Sequence, residues 1–280
     1  MKKIPFVKMN GCGNDFIIVD NRKNVLASID LEKFIPKICA RRISVGADGF
    51  MMIENSNKAD FKMRYFNADG SEGEMCGNGA RCLAKFAYLI GSAKENMCFE
   101  TIAGIYEAQI LEDGRRLKVK FPSMDLESIK LNQVASFEGF EKTYHYAPVG
   151  VPHVVLFEEG LSTLKKETIL TKGRAIRFDQ DLFPLGTNVN FVNIVDEYNI
   201  DIRTYERGVE NETLACGTGS TAAAIVSFLL GHTKSPVHVH NPAGVLTIYF
   251  VVGEKTIYEI YMEGEVKLVA EGNLLPDAWD

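Results

Sequence analysis

Two segments of this chain stand out for the way apolar and polar positions alternate around them. Ala80 to Ile90 and Ser220 to Leu230 both have the apolar content of a buried helix, and both stop at a glycine, Gly91 and Gly231, a usual residue just past a last helical turn. Ser220 to Leu230 carries no charge, and the first segment carries only Arg81 and Lys85. A helix that is apolar all round has to be covered on all sides. Before each helix the pattern shortens to the period of a strand, at Phe61 to Phe66 and across Val192 to Tyr205 with a break near Asp196-Glu197. Further strands are expected at Phe99–Ile110, Arg116–Phe121, Pro148–Phe157, Val237–His240, Val245–Val252 and Ile257–Glu263, with a turn at Gly253-Glu254. A peripheral helix is expected over Asp30 to Cys39, although Pro36 falls inside it.

These elements repeat. An offset of 140 residues, half of the 280, superposes Cys76 on Cys216, Gly77 on Gly217, Gly79 on Gly219, Ala84 on Ala224, Leu89 on Leu229 and Gly91 on Gly231. The match runs back without a gap to Tyr65 with Tyr205 and Glu72 with Glu212. This indicates a duplication. The expected fold class is α+β, with two pseudo-symmetric domains, each a mixed β-sheet rolled into a barrel around a central apolar helix. The expected division is residues 1–121, joined by 264–280, against residues 122–263, with the boundary near Pro122-Ser123.

Composition narrows the function. A net charge of −6 argues against nucleic acid or an anionic membrane as the main partner. The start of the chain lacks the apolar core of a signal peptide, and no stretch reaches the uncharged length of a membrane span. A cytoplasmic location is therefore expected, with the six cysteines kept as thiols. No Cys-x-x-Cys pair exists, and no histidine lies near Cys76 or Cys82, so no metal is expected.

The chemistry concentrates at Met75-Cys76-Gly77-Asn78-Gly79 and Ala215-Cys216-Gly217-Thr218-Gly219. Amide N–H groups and the helix dipole at a helix start favour a thiolate. The glycines let backbone N–H groups approach an anion closely. Two such helix starts converging on one carboxylate would set its α-carbon between two sulfurs. One thiolate would take the α-proton while the other thiol protonates the opposite face, which is racemisation or epimerisation with no cofactor. The carbanion would be stabilised by fixed dipoles and exclusion of water. A thiol redox protein is the competing class, but such pairs usually show Cys-x-x-Cys. Oxidation is nonetheless expected to join Cys76 and Cys216 and inactivate the protein.

At these residues the sequence resembles the diaminopimelate epimerases. The resemblance is carried by Lys8 to Phe16 (KMNGCGNDF), Phe66 to Glu72 (FNADGSE), Met75 to Cys82 (MCGNGARC), Tyr205 to Glu210 (YERGVE) and Thr213 to Gly219 (TLACGTG). It runs nearly end to end and implies epimerisation of LL-diaminopimelate to the meso form, a small amino-acid substrate, no cofactor and a homodimer. Cys76 and Cys216 would be the catalytic acid/bases. The N–H groups at Gly77-Asn78 and Gly217-Thr218 would hold the reacting carboxylate. Asn14, Asn67, Asn188 (with Asn190 as the competing amide) and Arg207 would read the ends of the substrate, Arg207 gripping the distal carboxylate through two parallel bonds. Glu206 would lie near the second thiol and the substrate's amino groups, and His153 near the first thiol. The family usually has asparagine where this chain has Val151. Valine cannot hydrogen-bond, which weakens recognition of a polar end by roughly 0.5–1.5 kcal/mol. That departure keeps open a related racemase acting on another polar amino acid, such as histidine.

Overall fold

The computed structural model describes residues 3–111 and 114–279. The chain divides into two compact units, Met1–Lys120 with Gly264–Asp280, and Phe121–Glu263.

In the first unit the elements run β1 (Ile4–Gly11), β2 (Asn14–Asp20), α1 (Leu31–Cys39), β3 (Gly49–Glu54), β4 (Phe61–Asn67), β5 (Glu72–Gly73), α2 (Gly77–Leu89), β6 (Asn96–Thr101), β7 (Gly104–Leu111) and β8 (Arg116–Phe121). Antiparallel pairing joins β1 to β2, β3 to β4, β6 to β7 and β7 to β8. The two parallel pairs, β2 with β3 and β4 with β6, are those whose connections carry α1 and α2. This is what parallel neighbours need, because their ends lie at opposite edges of the sheet.

The second unit follows the same succession. It runs β9 (Met124–Asp125), β10 (Lys130–Phe137), β11 (Phe140–Val149), β12 (Val151–Phe157), α3 (Lys166–Arg177), β13 (Asn188–Ile194), β14 (Asn199–Glu206), β15 (Asn211–Thr213), α4 (Gly217–Leu229), β16 (Val237–Asn241), β17 (Gly244–Val252) and β18 (Thr256–Leu274). Here β12 with β13 and β14 with β16 are the parallel pairs, again connected through α3 and α4. The far end of β18 belongs to the first unit. Residues 266–274 pair antiparallel with β1, and the same strand pairs with β8. That closes a barrel of eight strands, β1 to β4, β6 to β8 and the far end of β18, with β5 paired to β4 beside it. The fold class is the one the repeat implies.

Each sheet has a helix on both faces. α2 packs on β1, β2, β3, β4 and β7, and α4 on β11, β12, β13, β14, β16 and β17. On the other face, α1 buries Phe34, Ile35 and Ile38 against Ile17, Val19, Phe50 and Met52, and Trp279 covers Phe34 at 5.4 Å between ring centroids. In the second unit Ile169 and Ile176 of α3 meet Val154, Val189, Phe191 and Tyr205. Gly173 of α3 admits this contact, since a Cβ there would stand 2.5 Å from the Tyr205 side chain. A strand covered on both faces cannot alternate, and Gly49 to Ile53 are accordingly all buried. None of the described helices is long and apolar enough to cross a membrane.

Three expected strands differ. Phe99–Ile110 is two strands, β6 and β7, turning at Ile102-Ala103. Pro148–Phe157 is also two, because Gly150 at φ +70° reverses the chain between β11 and β12. The strand read as Ile257–Glu263 continues to Leu274. Helix α3 was not anticipated.

Candidate active site

Cys76 and Cys216 are the N-cap residues of α2 and α4, with near-equal backbone angles of φ −139°, ψ 115° and φ −119°, ψ 112°. Each sulfur accepts from the N–H three residues on, Gly79 at 3.5 Å and Gly219 at 3.4 Å. Thr218 Oγ1 lies 3.6 Å from Cys216 Sγ. Both helices run thirteen residues, Gly77–Leu89 and Gly217–Leu229. Their first N–H groups have no intrahelical acceptor, and the dipole adds partial positive charge there. Each unit therefore presents a thiol and an anion-accepting helix end at one point.

In the first unit a chain of hydrogen bonds fixes the amides around Cys76. Arg81 Nη2 donates to Asn78 Oδ1 (2.8 Å), Asn78 Nδ2 donates to Asn14 Oδ1 (2.7 Å), and Asn14 Nδ2 donates to Asp48 Oδ2 (3.2 Å). Arginine has no acceptor and a carboxylate no donor, so neither amide can flip. Asp48 is held in turn by Arg41, which also pairs with Asp15. Asn67 stands apart from this chain. At the exposed end of β4 it accepts from Tyr65 Oη (2.7 Å) and donates to Ser71 Oγ (2.9 Å).

In the second unit the two asparagines of β13 divide the work. Asn188 Oδ1 accepts from the Arg207 N–H (2.8 Å) and Nδ2 donates to Pro152 O (3.3 Å), which sets the backbone that carries Arg207. Asn190 is fully buried. It accepts from Thr204 Oγ1 (3.0 Å), donates to Val154 O (2.9 Å) and lies 3.2 Å from His153 Nδ1. Its amide presses on Gly219, where a Cβ would collide with Oδ1. Because Asn190 Nδ2 donates, His153 Nδ1 accepts, and the ring proton sits on Nε2. That Nε2 is buried with no hydrogen-bond partner. Burial, then the charge of Arg207, holds His153 neutral with a pKa pushed down to about 3. Arg207 Nη1 donates to Leu185 O (2.8 Å), and Glu206 is the half-buried last residue of β14.

The expected residues thus form two local groups. Asn14 and Asn78 join the Cys76 helix start. Asn188 joins Arg207, and His153, expected near the first thiol, reaches Gly219 of the Cys216 helix start through Asn190 in the same unit. Three contributors had no clear signal in the sequence. Arg81 reads as one charge on an apolar helix. Glu210 reads as a loop charge, yet its carboxylate accepts from Arg177 (3.1 Å), Gly208 N (3.1 Å) and Tyr205 Oη (3.0 Å), tying down the loop that holds Arg207. Asn190 is separable from Asn188 only by its hydrogen-bond partners, since both are buried. A recess of about 580 Å³ in the second unit, lined by Lys130, Tyr146, Asp181 and Leu185 among others, contains none of the expected residues. The chemistry argues for the helix starts, not for that recess.

The family model described as diaminopimelate epimerase matches residues 6–124 and 145–269. The chain belongs to the diaminopimelate epimerase family. It is 44% identical over 281 residues to the diaminopimelate epimerase of Aquifex aeolicus (strain VF5), covering 96% of this chain and 97% of that one. It is 42% identical over 283 residues to that of Caldanaerobacter subterraneus subsp. tengcongensis, covering 96% and 98%. Among solved structures, a hydroxyproline epimerase from Agrobacterium vitis superposes with a TM-score of 0.74 at 14% identity, covering 100% of this chain and 93% of the other. At that identity the likeness speaks for the fold alone. In this diaminopimelate epimerase family member both cysteine motifs and both polar groups fall within the matched residues.

Proposed function

We propose that this protein interconverts LL- and meso-diaminopimelate by a two-thiol mechanism in which Cys76 and Cys216 act on opposite faces of the α-carbon. The observation that carries this reading is the equivalence of the two helix starts, each with a cysteine N-cap whose sulfur accepts one amide N–H. A thiolate takes the α-proton, the electron pair stays on carbon, and the opposite thiol delivers its proton to the other face. The N–H groups at Gly77-Asn78 and Gly217-Thr218 hold the carboxylate, where negative charge grows as the carbanion forms. Arg207 suits the distal carboxylate, and the free Nε2–H of neutral His153 suits an acceptor on the substrate. Asn14, Asn67, Asn188 and Glu206 complete the polar set. The family relationship supports a cytoplasmic location and a homodimer, and light scattering of the purified protein tests the oligomeric state.

In deuterated water the protein is expected to place deuterium on the α-carbon of diaminopimelate while interconverting the isomers. Cys76→Ala and Cys216→Ala each abolish interconversion. Turnover of histidine or another amino acid without diaminopimelate would refute the substrate, and activity that depends on added metal or pyridoxal would refute the mechanism.

A further inference from the structure

The two helix starts match in backbone but not in charge. Arg81, on the second turn of α2, is fully buried, the largest side chain among the fully buried residues. Its guanidinium donates to Asn78 Oδ1 and, at 3.5 Å, to Gly77 O, while Nε has no partner. It forms no ion pair with a carboxylate among the described residues. The residue at the matching place in α4 is Thr221, whose hydroxyl donates to Gly217 O (3.0 Å), and α4 contains no charged residue at all.

A guanidinium does not give up its proton in a protein, and an isolated buried charge is strongly unfavourable. Some anion has to offset Arg81. The ionisable groups that act on it most strongly are the thiols of Cys12, Cys82 and Cys76, with Arg116 opposing as a like charge. Cys82 is completely buried, and burial pushes its thiol up to about 12. Burial also pushes Cys12 up, with Glu265 adding to the effect. Cys76 is the least buried of the three, and it alone caps a helix and receives an amide N–H on sulfur.

We propose that Arg81 is a positioning cation that makes Cys76, and not Cys216, the thiolate of the resting protein. This rests on the two-thiol reading and sharpens it. Each turnover from the resting form begins with Cys76 as S⁻ and Cys216 as S–H. The α-proton moves to Cys76 as its C–H bond breaks, and the Cys216 proton forms the new C–H bond. The protein is left with Cys76 protonated and Cys216 ionised, with no change in net charge. One proton must then pass from Cys76 to Cys216 through solvent before the same direction can run again. Arg81 favours this return.

The test is alkylation of the intact protein with iodoacetamide across a pH series, each cysteine being followed by peptide mass spectrometry. Cys76 is expected to react with a midpoint at least about one pH unit below that of Cys216, with Cys12 and Cys82 slow throughout. Arg81→Gln moves the Cys76 midpoint up by about one unit or more, a tenfold loss of thiolate at fixed pH, and leaves Cys216 in place. Arg81→Lys, which keeps the charge, retains the low midpoint. A wild-type midpoint for Cys216 at or below that of Cys76 overturns the proposal, whether or not Arg81→Gln folds. So does a Lys variant that behaves like an uncharged one, or a folded Gln variant that moves neither thiol. The titration needs no substrate. A failure to turn over diaminopimelate would therefore refute the function while leaving the thiol assignment standing.

Discussion

The two equivalent glycines, Gly79 and Gly219, are expected to respond unequally to alanine. Within a helix, alanine is favoured over glycine by at most about 1 kcal/mol, so any loss must come from the space around the new methyl group. At Gly79 that methyl would meet the end of Met51, 2.7 Å from Cε and 2.9 Å from Sδ. A thioether is unbranched and can rotate away at small cost. At Gly219 it would overlap Asn190 Oδ1 and stand 3.2 Å from Cys216 Sγ. Asn190 cannot yield without disturbing its contacts to Thr204, Val154 and His153, all buried. At about 0.5–1.5 kcal/mol per bond, and more where a buried group is left unpaired, the loss is about 2–4 kcal/mol before the alanine gain. Gly219→Ala is therefore expected to lose about 1–3 kcal/mol net, while Gly79→Ala stays within about 1 kcal/mol of wild type. Thermal melts by circular dichroism should show the first variant falling by several degrees, since about 2–4 °C accompanies each kcal/mol at this size. Fluorescence of Trp279, packed on Phe34 in the first unit, should separate that unit's melting from the other's. The kcat of Gly219→Ala should also fall about tenfold or more, because the displaced N–H is the one on the Cys216 sulfur. A Gly219→Ala protein as stable as wild type, or a larger loss for Gly79→Ala, would refute the reasoning.

Three other outcomes are open to measurement. His153 is neutral in the fold, with a pKa near 3, but protonates near 6.5 when unfolded, so its contribution is complete above about pH 6.5 and is lost as pH falls toward 3. The unfolding free energy from urea titrations should decline by up to about 1.4 kcal/mol per pH unit per such histidine within that window, and His153→Gln should flatten the decline. Arg207→Lys should raise KM for diaminopimelate about ten- to hundredfold, the worth of one charge-assisted bond, and an unchanged KM would remove Arg207 from the distal carboxylate. Glu210→Gln should raise KM with little change in kcat, since it loosens the loop of Arg207 and touches neither thiol; a fall in kcat alone would contradict that role.

The duplication was legible because a helix start beside a thiol tolerates few residues, so Cys-Gly-x-Gly survives at both places. The central helices were legible for the opposite reason, since complete burial leaves no room for charge. What escaped has physical causes. The turn between β6 and β7 is made by Ile102 and Ala103, with Ile102 more than half exposed, so no polar residue marks the reversal. Helix α3 (KETILTKGRAIR) buries only Ile169, Gly173 and Ile176, too thin a stripe to read, and its glycine serves packing under Tyr205. Glu263-Gly264-Glu265 looks like the end of a strand because its polarity hides a strand that continues to Leu274. At the site, the cysteines and the polar motifs were legible as candidates by residue type and position. The bonds among them were not legible, because Asn78–Asn14 and Asn190–His153 join residues from elements distant in the sequence.

The barrel closed by β18 also sets an order of manufacture. Residues 3–111 and β8 leave the ribosome first, but β1 and β8 lack their shared neighbour until residues 266–274 have been made. The second unit is continuous from Phe121 to Glu263 and has all its strands before that point. The amino-terminal unit is therefore begun first and completed last. Until then it carries two open strand edges, which are the surfaces most prone to pair with other chains. A chain cut short after Glu263 would keep both cysteines and still be expected to aggregate.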